Sequence, residues 1–154
     1  IDSCAFDPKY FPENESAEEL FQLYEKWKDT GIILEIAHSV LKEIDHPNTP
    51  LWVKERAYKI GYTIPTDFTD EEKNLLWRIE KILTGNGKVE NIRQDARHIF
   101  EAHKHGHYFV TTDKGILDKK EELNKSCSCS LSIVKPSELL SLIKTYDNKL
   151  KHRI

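Results

Sequence analysis

Methionine is missing from all 154 residues, glycine and proline number six each, and there are three cysteines. The sparse Gly and Pro exclude collagen-like and low-complexity chains. An odd cysteine count, with Cys127 and Cys129 two residues apart, excludes the paired disulfide framework of small secreted domains. No apolar run reaches the ~18 residues of a membrane-crossing helix, and no basic-then-apolar leader opens the chain. Charge of one sign is not in excess either: 23 Lys and Arg face 26 Asp and Glu, a net charge of −3. Binding nucleic acid by bulk charge alone is excluded. These absences predict a cytoplasmic protein without a membrane partner. The missing Met predicts trimming ahead of Ile1.

What is present is 38% hydrophobic and 32% charged residues, in a length at which folding buries roughly 70% of the extended surface. Ile1 to Phe6 reads as the end of a buried strand entering a loop at Pro8 and Pro12. Ser16 with Glu19 has capping-box spacing ahead of Leu20, Leu23, Tyr24 and Trp27, which predicts a helix over 17–30 stopped by Gly31. Ile32 to Ile36 reads as a strand. Val40, Leu41 and Ile44 start a short helix before Pro47 and Pro50.

Thr49-Pro50 opens a helix to about 59, and Thr69 with Glu72 opens another over 70–84. After the turn Gly85-Asn86-Gly87, Ile92, Ala96, Ile99, Phe100 and His103 share a helical face that Gly106 ends. Tyr108 to Thr112 and Leu131 to Val134 read as strands, and Pro136-Ser137 opens a terminal helix with a basic tail from Lys144 to Arg153. Strands alternating with helices, without hairpin turns, predict a three-layer α/β/α Rossmann-like domain with a central, mainly parallel sheet. One domain is expected over 1–154, with 50–84 as a helical insertion.

In a parallel sheet the C-terminal strand ends converge on one edge, where ligands bind. Asp2 and Asp113 lie at expected strand ends, while Asp95 and Glu43 lie on adjoining helices. Asp95 is about 40° from Ile99 and Glu43 about 60° from Val40, so both border inward-facing stripes. Glu35 competes with Glu43 for this role. Grouped carboxylates need compensation, and Mg²⁺ or Mn²⁺ with oxygen ligands supplies it. Such an ion activates water and neutralises phosphate charge, chemistry suited to phosphodiester hydrolysis.

Four segments, Ile1-Asp2-Ser3, Val40-Leu41-Lys42-Glu43-Ile44, Asp95-Ala96-Arg97 with Ala102, and Phe109 to Lys114, resemble the PIN-domain family in content and order. Ile133-Val134 with Pro136 is similar to its last strand. The resemblance implies a Rossmann-like fold and a metal-dependent ribonuclease, with Asp2, Glu43, Asp95 and Asp113 as catalytic residues and ligands of Mg²⁺ or Mn²⁺. Ser3 and Thr111 match hydroxyl positions beside the acids, able to hydrogen-bond an acid or a metal-bound water. Cys4 stands where the family often has Asn or Ser, and Thr112 where Asn is common. Small members of the family include toxins held by an antitoxin, which adds RNA, an antitoxin protein and a homodimer to the expected partners. A PIN-like scaffold without catalysis, binding protein or RNA, is the alternative.

Arg97 and Lys114 are candidate phosphate contacts, and Asp118 is an auxiliary acid whose solvation is the simpler reading. Trp52, Tyr58, Tyr62 and Trp77 read as core residues, with an RNA clamp or dimer surface as the other role. His98, His103 and His105, with Cys127 and Cys129, suggest zinc, but the three histidines point to different helical faces. Cys127 and Cys129 are assigned to a polar loop. A phosphoacceptor receiver module is disfavoured because Asp2 has no adjacent acid.

Overall fold

The computed structural model describes residues 1–5, 9, 15–27, 32–85 and 87–151. Phe6, Pro8, Pro12, Gly31, Asn86 and Arg153, which carried several expectations, lie outside the described residues. The chain opens with a 3-10 turn, Ser3–Ala5, followed by α1 (Ala17–Trp27), α2 (His38–Ile44), α3 (Leu51–Ile60), α4 (Asp70–Leu83) and α5 (Val89–His105). Then come β1 (Tyr108–Val110), α6 (Lys114–Leu117), α7 (Lys120–Ser126), β2 (Ser132–Val134) and α8 (Pro136–Lys151).

The expected three-layer α/β/α Rossmann-like domain is not what forms: eight helices and one two-stranded sheet are described. β1 and β2 pair in parallel, with Phe109 opposite Ile133 and Val110 opposite Val134. Local backbone explains the missing strands. Asp2 N–H donates to Val110 O at 2.9 Å, but Ser3 already turns into the 3-10 turn, so the opening segment makes no ladder. Ile33 to Ile36 alternate exposed and buried as a strand should, yet only Ile36 pairs, in an isolated parallel bridge to Tyr62. Helices fill the chain between these segments and pack on one another, α4 on α5 and α7, and α1 on α8. Most of the interior is therefore helix against helix.

Helix ends follow local chemistry. Glu19 N–H donates to Ser16 Oγ at 3.3 Å, and Thr69 and Glu72 form a reciprocal capping box at 3.2 and 2.9 Å. Glu15 accepts from Ser137 N and Oγ at 2.9 Å each, satisfying the first turn of α8 from the opposite end of the chain.

The two-stranded pair divides the core. Phe109 and Ile133 face Leu75, Ile79, Leu83, Ile99 and Leu123, while Val110 and Val134 face Leu20, Ile36, Val40 and Ile143. This is the period-two alternation of a strand with both faces covered. Cys127 belongs to the first of these clusters rather than to a polar loop, and burial pushes its thiol up to about 11. Cys129 is exposed in a left-handed turn at φ 57°. Four aromatics of 50–84 depart from their expected burial: Trp52, Tyr58, Tyr62 and Trp77 are all exposed. No described helix is long and apolar enough to cross a membrane.

Candidate functional site

Asp2 is fixed by backbone on two sides. Its N–H is bound to the end of β1, and its Oδ1 accepts from Ser3 N at 2.7 Å. Its other oxygen accepts from Thr111 Oγ1 at 2.7 Å and from the Cys4 thiol at 3.2 Å. Burial pushes this carboxyl up, but His98, Thr111 and Cys4 outweigh burial and hold it below the usual range. Burial and the adjacent Asp2 charge raise Cys4 to about 12, so its thiol stays protonated as a donor. The sulfur at the position where the family prefers Asn or Ser thus acts as a hydrogen-bonding group. Thr112 is turned toward it: its N–H reaches Cys4 Sγ at 3.4 Å and its hydroxyl Cys4 O at 3.2 Å.

Glu43 enters from the last turn of α2, its Oε2 accepting from Ser3 Oγ at 2.6 Å. Glu43, rather than Glu35, joins Asp2; Glu35 is exposed and takes the Ile1 nitrogen on its backbone oxygen at 2.8 Å. From α5 comes His98, wholly buried. Its Nδ1 lies 3.6 Å from Asp2 Oδ1 and its Nε2 3.6 Å from Glu43 Oε1. Neither ring nitrogen has a hydrogen-bond partner. Burial disfavours a charged ring, yet Asp2, Glu43 and Asp95 together prevail and raise its pKa.

Asp95 precedes His98 by three residues on α5. Burial raises it first, Asp2, Asp113 and Glu43 add to this against His98, and the carboxyl reaches about 7. The charges of Asp2, Asp113 and Glu43 are thus felt at Asp95, while the residues whose ligand atoms gather within 4.8 Å are Asp2, Glu43 and His98. Asp113 is the most exposed; its Oδ1 caps α6 by accepting from Ile116 N at 3.0 Å, and Thr111 Oγ1 accepts its N–H at 3.0 Å. Comparison with family models, curated proteins and solved structures gives no match. The likeness to the PIN family rests on the four sequence segments.

The donors suit a divalent cation. Ligand atoms of Asp2, Glu43 and His98 lie within 4.8 Å of one another, two of the three residues are buried, and the His98 nitrogens are unsatisfied. Beside them a cleft of about 330 Å³ is lined by Ser3, Lys9, Glu43, His46, Asn48 and Thr49. A larger cavity, about 420 Å³, has a mostly apolar lining of residues such as Leu20, Tyr24, Ile32 and Tyr108, and none of the four acids borders it.

The remaining candidates are engaged elsewhere. Arg97 pairs with Glu101 at 3.3 Å and stacks over Phe68 at 5.3 Å, while exposed Lys114 pairs with Asp118. His103 Nδ1 meets Ser130 Oγ at 3.0 Å, and among the described residues no metal-ligating group combines histidines with Cys127 or Cys129. Sequence reasoning named His98 only in a zinc reading that it set aside, and it missed Glu101. His98 was legible as the second member of an Asp-x-x-His pair, a spacing that puts both side chains on one face of a helix. Glu101, buried and accepting from Ser39 N and Oγ at 3.0 Å each, left no signal apart from a charge beside Phe100.

Proposed function

We propose that the chain is a divalent-metal-dependent ribonuclease whose site is Asp2, Glu43, Asp95 and Asp113. One observation carries this reading: Asp2 and Glu43, from separate segments, bring ligand oxygens within 4.8 Å of each other and of a His98 nitrogen, while burial and the charges of Asp2, Asp113 and Glu43 lift Asp95 to about 7. Crowding of that kind is relieved by a cation. Mg²⁺ or Mn²⁺, held by Asp2, Glu43, Asp95 and Asp113, would supply an activated water and neutralise charge on the scissile phosphate. Thr111 and the Cys4 thiol keep Asp2 ionised and in place, and Ser3 orients Glu43 through its 2.6 Å bond.

RNA as the substrate is supported by the surroundings. The cleft beside Glu43 is lined by Asn48, Thr49 and His46, whose Nδ1 accepts from Asn48 N at 3.2 Å. That bond leaves Nε2 as the donor of the neutral ring. Val53 of α3 lines the same cleft, while the exposed Trp52 beside it in sequence lines a separate one together with Arg56, whose guanidinium pairs with Glu18 at 3.1 Å. Tyr58, nearly two turns beyond Trp52, donates to Asp45 at 2.6 Å. Exposed aromatic faces such as these stack unpaired bases.

The test is cleavage of mixed single-stranded and structured RNAs by the wild type and Asp113→Asn, with Mg²⁺, Mn²⁺ or EDTA. Asn caps helices as well as Asp does, so α6 is retained. Cleavage that needs the metal and is lost in the variant is expected. Equal cleavage by both proteins, or none by either when folded and metal-supplied, transfers the reading to the non-catalytic scaffold.

A further inference from the structure

His98 is the one member of the acid cluster that the four-carboxylate reading does not use. It is completely buried, both ring nitrogens lack hydrogen-bond partners, and each faces a carboxylate oxygen at 3.6 Å. Orphaned polar atoms in an interior are rare and call for a ligand or an ion. We propose that His98 supplies a ring-nitrogen ligand to the cation held by Asp2 and Glu43, so that this centre takes Mn²⁺ in preference to Mg²⁺.

Three facts support it. The donor atoms of Asp2, Glu43 and His98 all lie within 4.8 Å of one another. Ligands bound ~2.0–2.3 Å from one ion are separated by no more than about 4.6 Å, so small side-chain adjustments close the set. Asp95 and His98 stand three residues apart on α5, the spacing by which helices deliver a carboxylate and an imidazole to one metal. Finally, whichever nitrogen ligates, the other stays 3.6 Å from an oxygen of Asp2 or Glu43, a ligand of the same ion that would also steady the ring. Mg²⁺ keeps to carboxylate and water oxygens, whereas Mn²⁺, a first-row transition ion, accepts an imidazole nitrogen beside oxygens, so of these two ions the mixed set favours Mn²⁺.

The inference rests on the proposed cation centre but not on RNA as its substrate. Its test uses metal alone: MnCl₂ and MgCl₂ titrated calorimetrically into EDTA-treated protein, with pulsed EPR of the Mn²⁺ complex for coupling to a bonded ¹⁴N. The expectation is Mn²⁺ binding at least about tenfold tighter than Mg²⁺, with imidazole nitrogen coupling. In His98→Gln, folded by circular dichroism, the coupling vanishes and the preference falls toward unity. Should that variant not fold, the wild-type nitrogen coupling and metal preference decide alone. Mn²⁺ bound without nitrogen coupling, or coupling that survives in His98→Gln, overturns the role of His98. Failure of both ions to bind at millimolar concentration overturns the cation centre with it, while nitrogen-coupled Mn²⁺ without RNA cleavage refutes only the ribonuclease reading.

Discussion

Helix α5 carries two acids at the edge of the interior, Asp95 and Glu101, six residues apart and in opposite electrostatic situations. Glu101 is fully answered: Ser39 gives it a backbone N–H and a hydroxyl at 3.0 Å, and Arg97 a guanidinium at 3.3 Å. Among the described residues no such donor answers Asp95: burial first, then the charges of Asp2, Asp113 and Glu43 against that of His98, lift its carboxyl to about 7. A carboxylate bound by donors from α2 and its own helix holds elements together. A carboxylate set among its own kind stores a charge imbalance that an ion can cancel. The two acids lie about 120° apart around the helix and so meet different neighbours, and the partners around each determine its role.

The largest separation between the two sites should appear in catalysis. Asp2→Asn is expected to reduce metal-dependent RNA cleavage by about 10³-fold, a loss of ~4 kcal/mol of transition-state stabilisation, measured as kcat/KM at saturating Mn²⁺. For the folded protein, Glu101→Ala is expected to leave that kcat/KM within about twofold. Its effect falls on stability. Stripped of Glu101, the buried Ser39 donors go unpaired and Arg97 loses its ion pair, which costs ~2–3 kcal/mol in urea denaturation.

Asp95→Asn should act on stability in the opposite direction. As its folded pKa is about 7 against an ordinary 3.8, the unfolded chain gives up this proton first as pH rises. The folded state is therefore penalised progressively between those values and fully above them. In EDTA, Asp95→Asn should raise Tm by a few degrees at pH 8 and leave it unchanged near pH 3, by thermal unfolding. The smallest effect is expected at the exposed Lys114 and Asp118 pair: Asp118→Ala should shift stability by less than about 0.5 kcal/mol and spare cleavage.

Local signals in the sequence located six of the eight described helices, because their causes are local, and missed the short α6 and α7. Ser16 with Glu19 and Thr69 with Glu72 mark starts through hydrogen bonds three residues apart, and Gly106 follows the end of α5. Strand extent has no local cause. Ile32 to Ile36 carries the apolar composition and alternation of a strand, but only Ile36 finds a pairing partner, and a three-layer sheet was read from segments that supply one bridge and two three-residue strands. Glu43 and Asp95 were singled out because carboxylates beside apolar stripes are costly, and Asp2 as an expected strand end; of these the fold brings Asp2 and Glu43 within 4.8 Å of each other. His98 was harder: an imidazole on an inward helix face is compatible with ordinary packing, and only the fold shows that it lies between Asp2 and Glu43. Trp52 and Trp77 were assigned inward by residue type, whereas α3 turns Val53 and Ala57, and α4 turns Leu75, Ile79 and Leu83, to the core instead.

The most direct test of the contrast on α5 is thermal unfolding at pH 8 of wild type, Asp95→Asn and Glu101→Ala, each with EDTA and with Mn²⁺. The account predicts that Asp95→Asn starts above wild type in EDTA and gains less from Mn²⁺. Glu101→Ala should start below wild type and gain as much as wild type does. An Asp95→Asn variant that is less stable than wild type in EDTA and fully stabilised by Mn²⁺ would contradict it, because Asp95 would then be a structural acid like Glu101.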